Sequence, residues 1–385
     1  MSTICKRPWT VVAACFISIM IWMINYVSYS SILPFIKGDL GLTYTEVGLI
    51  ASSFVIGYAV GQIPWGHFAD KFGSRIVITV GLVGLSLTTI MFGISNNIIE
   101  ITIWRIAAGF LGAAIFVPSV KIISGCFFKE RRSLAIAIFT IGANVGGIII
   151  PLVALSLGLE VGWRLSISLI ALMSLLGIIP VWLLLKQAKV KKTLKRRVKF
   201  TEFLRRVDFW ILGYAHFVRL GIIFTIISWM PTFMFEARNF DAISAGFSIP
   251  VISIVGALAV VIGGLLSRKV ENKRIIISSF IALAPVFYLF SVSGEPELTW
   301  TLVVLSGILS ALYMGPMWTI SSLKAPVGQE GVISGYYNTI GATGGLAMPL
   351  ILGYAKDLTG FFAPGWFVIA TFCGLAAVLT IFLRK

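Results

Sequence analysis

The sequence predicts an all-α membrane protein of twelve transmembrane helices, arranged as two repeated six-helix bundles with both termini cytoplasmic. Three observations carry that reading: an apolar composition, a one-sided placement of basic residues, and an internal repeat. Of 385 residues, 58% are hydrophobic and only 12% are charged, and the mean hydropathy is +0.98. Soluble domains hold about twice that share of charge, because their surface must stay in water. Lipid removes the requirement, and each crossing then takes about 20 mainly apolar residues.

Charged and polar residues bound the crossings in order. The first, Trp9–Leu33, follows Lys6 and Arg7; its apolar run is too long for a signal peptide and is read as an uncleaved helix. Glu46–Phe68 and Ile76–Ile94 flank the Asp70–Arg75 loop, and Ile98–Val120 stops at Lys121. Ser133–Leu157 and Trp163–Leu185 complete the first bundle, meeting near Glu160. Phe209–Phe235 lies between Asp208 and Glu236, and Ala242–Ser267 runs from Asp241 to Arg268. Ile275–Ser291 and Leu298–Ser322 meet at Glu295 and Glu297. Gly331–Tyr354 sits between Glu330 and Lys356, and Pro364–Leu383 ends at Arg384.

With the N-terminus inside, 25 of the 31 basic residues fall on inner segments. The outer loops keep Lys37, Arg164, Arg238 and Lys356. This is the positive-inside bias, so the net charge of +16 reflects topology and not a nucleic-acid partner. Trp9, Trp65, Trp182 and Trp210 near inner ends, and Trp104, Trp163, Trp229, Trp300 and Trp366 near outer ones, suit the headgroup zone. Cys5, Cys15, Cys126 and Cys373 are scattered among apolar neighbours and read as reduced packing residues.

The halves overlay. Thr140-Ile141-Gly142-Ala143 with Gly146 recurs as Thr339-Ile340-Gly341-Ala342 with Gly345. Gly66, Gly109 and Pro118 meet Gly264, Gly307 and Pro316, and Gly162-Trp163 meets Gly365-Trp366. Such ordered coincidences indicate duplication, an architecture of transporters. The bundles are placed at 1–185 and 208–385, joined by a basic linker, 186–207, ten of whose residues are Lys or Arg. A run so charged stays on the cytoplasmic side, near anionic headgroups. The spacings Gly142-x-x-x-Gly146 and Gly341-x-x-x-Gly345 let helices approach closely, for static packing, for sliding, or for both.

Gly66-His67-Phe68-Ala69-Asp70-Lys71-Phe72-Gly73-Ser74-Arg75 resembles the signature loop of the major facilitator superfamily. Trp104-Arg105 with Gly109 and Gly162-Trp163-Arg164 resemble that family's fourth and sixth helices. Gly66 and Gly73 are read as permitting a tight turn, and Asp70 as accepting from Arg75 or from a helix N-terminus. In the second half the aspartate position is Arg268, so a symmetric gate is not expected. The resemblance implies alternating access by a secondary transporter. The stretches Phe116–Pro118 with Phe127–Arg132, and Phe217–Ile222 with Trp229–Thr232, are similar to nitrate or cyanate porters and to organophosphate or organic-anion carriers.

Charge within a crossing needs a reason. Two basic residues qualify: Arg105 and Arg219, the latter roughly 15 Å deep at about 1.5 Å per residue. All fifteen carboxylates fall in loops or at helix ends. Arg219 is therefore expected to receive an anionic substrate in its planar fork, the alternative being a guanidinium that caps backbone carbonyls. His216, at i−3, is the candidate for a coupling proton, or else an interior hydrogen-bonded histidine. Trp22, Asn25, Tyr26, Tyr29, Asn144, Tyr313, Trp318, Tyr337 and Asn338 complete the candidate cavity, and each equally suits helix packing.

No phosphate loop, metal-ligand spacing or acid–base cluster is present, which excludes an enzyme and implies no cofactor and no metal. The expected form is a monomer in the cell membrane carrying a small, anionic molecule. A multidrug efflux carrier and a non-transporting sensor on the same fold remain the alternatives at this point.

Overall fold

The computed structural model describes residues 7–127, 129–185, 205–324 and 330–383. Among them there are helices and no strand. Two compact units form, one of Met1–Leu42 with Ser53–Leu194, the other of Thr43–Ser52 with Lys195–Lys385. The expected linker lies outside the described residues as far as residue 204.

The first unit begins with α1 (Pro8–Val27), a 3-10 turn (Ser30–Ile32) and α2 (Leu33–Leu40). The expected unbroken first crossing is thus jointed. Pro34 has no N–H to give to Ser30, and the Ser28 and Ser30 hydroxyls donate to the carbonyls of Asn25 and Val27, at 3.3 and 2.9 Å. Helices α3 (Tyr44–Phe72), whose turns as far as Ser52 group with the second unit, α4 (Ser74–Gly93), α5 (Ile98–Cys126), α6 (Lys129–Val161) and α7 (Trp163–Leu185) follow. Gly73 and Gly162, at φ 87° and 81°, make the sharp turns into α4 and α7. Gly66 lies inside α3 and not in a turn, contrary to expectation, because the apolar helix runs on to Phe72.

The second unit holds α8 (Val207–Arg238), α9 (Ala242–Gly246), α10 (Ser248–Leu266), α11 (Asn272–Val292), α12 (Pro296–Leu312), α13 (Met314–Leu323), α14 (Glu330–Thr359) and α15 (Ala363–Ile381). Two expected crossings are again broken, at Phe247 and Tyr313. Pro250 and Pro316 remove the N–H groups that would reach the carbonyls of Gly246 and Leu312. Asp241 caps α9, accepting from Ile243 and Ser244 amides at 3.0 and 2.9 Å. Hydrogen bonds from Ser244, then from backbone amides, hold this carboxyl below its usual range.

Among the described residues, eleven segments are long and apolar enough to cross a membrane. The expected Gly331–Tyr354 crossing lies in α14, which has 30 residues but falls outside the eleven, diluted by glycine, threonine, tyrosine and asparagine. Its neighbours are protein: α14 packs chiefly along α8.

Each unit repeats the same pairings. In the first, α1 packs on α6, and α4 on α5 and α7. In the second, α8 packs on α14, and α11 on α12 and α15. The repeated glycines do matching work. Gly142 seats against the Phe16 carbonyl of α1, and Gly341 against the His216 carbonyl of α8. Gly109 faces the Phe54 carbonyl of α3, and Gly307 faces Ile252 of α10. A side chain at these four sites would collide with a neighbouring helix, so the repeat preserves helix contact.

Cys15 and Cys373 are free and buried within helices. Cys126, the last residue of α5, is disulfide-bonded, which corrects the expectation of four reduced thiols.

Candidate functional site

Most of the expected substrate-site residues, though not Asn144 and Asn338, fall in two clusters, one in each unit. In the second unit, α8 presents His216 and Arg219 one turn apart, at 0% and 4% exposure. The His216 Nε2 lies 3.0 Å from Ser321 Oγ on α13. Its ring stacks on Tyr337 of α14, at 5.1 Å and 14°, and leans on Trp318 of α13 at 4.6 Å. The Arg219 guanidinium lies 5.5 Å from the Trp318 ring centroid, a cation–π arrangement. Tyr313, fully buried at the α12–α13 break, packs on Phe280 at 4.8 Å. Below the cluster Phe209 stacks on Tyr337 at 5.3 Å, and Lys324 pairs with Asp208 at 2.8 Å.

In the first unit Arg105 of α5 is 2% exposed and enclosed by rings. Tyr29, hydrogen-bonded to it, has its ring centroid 4.2 Å away, with Phe54 at 4.8 Å and Tyr26 at 5.6 Å. Tyr26 touches Phe54 at 4.9 Å and stacks on Trp22 at 5.5 Å, and Trp22 reaches Tyr58 at 5.8 Å. A row of rings thus runs from half-buried Trp22 and Tyr58 to the buried arginine. Asn25 is buried and donates to the Ile21 carbonyl at 2.9 Å, so part of its capacity is used within α1. Asn144 and Asn338 are half-buried on α6 and α14, outside the ring and guanidinium contacts described.

Of the two partners expected for Asp70, Arg75 is not one it meets. Asp70 is bridged to Lys121 of α5, not to Arg75. Arg75 instead donates from Nε to the Trp182 carbonyl at 3.1 Å, with its guanidinium 3.5 Å above the Trp182 ring. The chain reverses at Gly73 between them, so each side chain meets a different helix. Sequence reading also missed Phe54, Tyr58 and Ser321. Phe54 and Tyr58 share a face of α3 at i,i+4, a signal that was available; Ser321 carries none.

A family model described as Major Facilitator Superfamily matches residues 11–349. A hexuronate transporter of Bacillus subtilis (strain 168) is 24% identical over 385 residues, covering 92% of this chain and 91% of the relative. A nitrite extrusion protein of the same organism is 24% identical over 373 residues, covering 94% and 90%. The crystal structure of a bacterial homologue of the human lysosomal transporter Spinster, inward-facing and occupied, superposes with a TM-score of 0.84 at 17% identity, covering 97% and 96%. The chain belongs to the Major Facilitator Superfamily. It is a multi-pass membrane transporter of a small solute, and not an enzyme.

Proposed function

We propose that this transporter moves a small organic or inorganic anion, with Arg219 as the group that receives it. The observation that carries the reading is a guanidinium 4% exposed, the thirteenth of the 32 residues of α8, beside a half-buried indole. The carboxylates on α8 itself, Asp208 and Glu236, stand roughly 16 and 25 Å away along the axis. Positive potential at that depth favours an anionic guest, and the fork of arginine suits a carboxylate or a nitrogen oxyanion. The names of the hexuronate and nitrite relatives agree with that class. Arg105 supplies a second positive centre, and we assign any coupling proton to His216.

The mechanism we propose is alternating access between bundles 1–185 and 208–385, in a monomer that crosses the cell membrane twelve times with both termini in the cytoplasm. Static packing through Gly109, Gly307, Gly142 and Gly341 supports bundles that move as bodies. Counterflow in proteoliposomes tests the substrate class, using mono- and dicarboxylates, phosphate esters, nitrate and lipophilic cations. Exchange of anions supports the reading. Exchange of lipophilic cations alone overturns it in favour of drug efflux, and binding without flux would mean a sensor.

A further inference from the structure

Helix α3 is continuous from Tyr44 to Phe72, yet its first turns belong to the second unit and the rest to the first. Its N-terminus is capped twice. Thr43 and Glu46 form a capping box, with Glu46 N donating to Thr43 Oγ1 at 3.2 Å and Thr43 N to Glu46 Oε2 at 2.8 Å. The amides of Tyr44 and Thr45 remain, and both go to one carboxylate more than three hundred residues away. Asp357, near the end of α14, accepts from Tyr44 N at 2.9 Å and Thr45 N at 2.6 Å, and also from the Thr45 hydroxyl. A negative charge there meets the positive end of the helix dipole.

Neighbouring groups hold the same stretch. The Tyr44 hydroxyl donates to Glu236 Oε2 at 2.6 Å, and the Lys356 ammonium lies 5.2 Å from the Tyr44 ring centroid. Ser52 Oγ donates to the Leu346 carbonyl at 2.7 Å, and Gly48 faces the Pro349 carbonyl. Asp357 is exposed, so water can take over each bond it makes. The other part of α3 is held differently: Gly57 and Gly61 bring its backbone against Ile106 and Phe110 of α5 with no room for a side chain. A stiff helix shared by two units lets go first where water can replace what holds it.

We propose that Asp357 is a detachable cap, which docks Thr43–Ser52 on α14 and releases it during turnover. The inference rests on the alternating-access reading and adds the residue that sets how often this stretch is docked. Val47 is 1% exposed within the stretch. Val47→Cys, in a chain whose four native cysteines are replaced, reports docking through its rate of reaction with a hydrophilic maleimide in nanodiscs. Asp357→Ala is expected to raise that rate about fivefold, the change that loss of one helix cap brings. Asp357→Glu, which keeps the carboxylate, is expected to leave the rate closer to the parent's than alanine does. An alanine variant that elutes and melts like the parent, yet reacts at the parent's rate, overturns the proposal. Where that variant does not fold, Asp357→Asn replaces it: a smaller rise supports the cap, and no rise overturns it. The readout needs no substrate, so it is independent of whether anions are carried.

Discussion

The Arg75 guanidinium lies 3.5 Å above the ring centroid of Trp182 and also donates to the Trp182 backbone carbonyl. One residue of the family loop thereby ties the start of α4 to the end of α7. Lysine keeps the charge but loses both the planar stack and the Nε bond. Arg75→Lys and Trp182→Ala are each expected to lower thermal stability in detergent. In the double variant the two effects should overlap by about 1 kcal/mol, the coupling of a partly exposed cation–π pair. Fully additive losses would show that the stack contributes nothing.

Removing the charge at Arg219 tests the proposed anion contact. A charge-assisted hydrogen bond contributes about 1.5–3 kcal/mol, so Arg219→Gln should lower kcat/KM for anion counterflow by roughly tenfold to a hundredfold. Arg219→Lys should fall between, having charge without the fork. Unchanged counterflow in the glutamine variant removes Arg219 from the substrate contact.

The ring enclosure of Arg105 predicts a graded response at Tyr29. Tyr29→Phe keeps the ring face and removes the hydroxyl bonded to the guanidinium, with an expected loss of about 1–2 kcal/mol. Tyr29→Ala removes the face too, with an expected loss of about 3–5 kcal/mol. Melting of both proteins in detergent checks the order, and equal melting temperatures would contradict it.

The contact between His216 and Ser321 makes the pH profile informative. With His216 as proton carrier, uptake should vary with pH in the parent and become flat in His216→Gln. Ser321→Ala should move the midpoint, because it removes the group 3.0 Å from Nε2. A glutamine variant with the parent's full pH dependence ends the proton assignment.

Two glycines with the same apparent standing in the repeat should behave oppositely. A methyl at Gly109 overlaps the Phe54 carbonyl, whereas one at Gly66 meets nothing within 4 Å. Gly109→Ala is expected to destabilise by about 1–3 kcal/mol, and Gly66→Ala to stay within about 0.5 kcal/mol of the parent. Thermal melting of both variants decides this.

The contrast shows where the sequence was legible. The order of the helices follows from apolar run length, whereas the expected count of twelve crossings stands against eleven apolar spans among the described residues, and paired glycines mark helix contacts because lipid leaves close approach as the way to hold helices together. Arg105 and Arg219 stood out by charge in apolar surroundings, and both are buried beside aromatic rings. Partners were not legible. Asp70 and Arg75 are five positions apart, yet each bonds to another helix, Lys121 and Trp182 respectively. The dock of Tyr44 on Asp357 is longer in range still, and no local pattern encodes it. The breaks at Pro34, Pro250 and Pro316 were readable from proline chemistry, but hydropathy averages across them.

The break before α13 reaches into a neighbouring helix. Pro316 cannot donate to Leu312, and the next amide, Met317 N, bonds to the Tyr313 carbonyl at 2.9 Å instead. The stranded Leu312 oxygen faces Gly263 of α10 so closely that any larger residue there would overlap it. The carbonyl that proline leaves without its in-helix donor is thus the one that keeps residue 263 without a side chain.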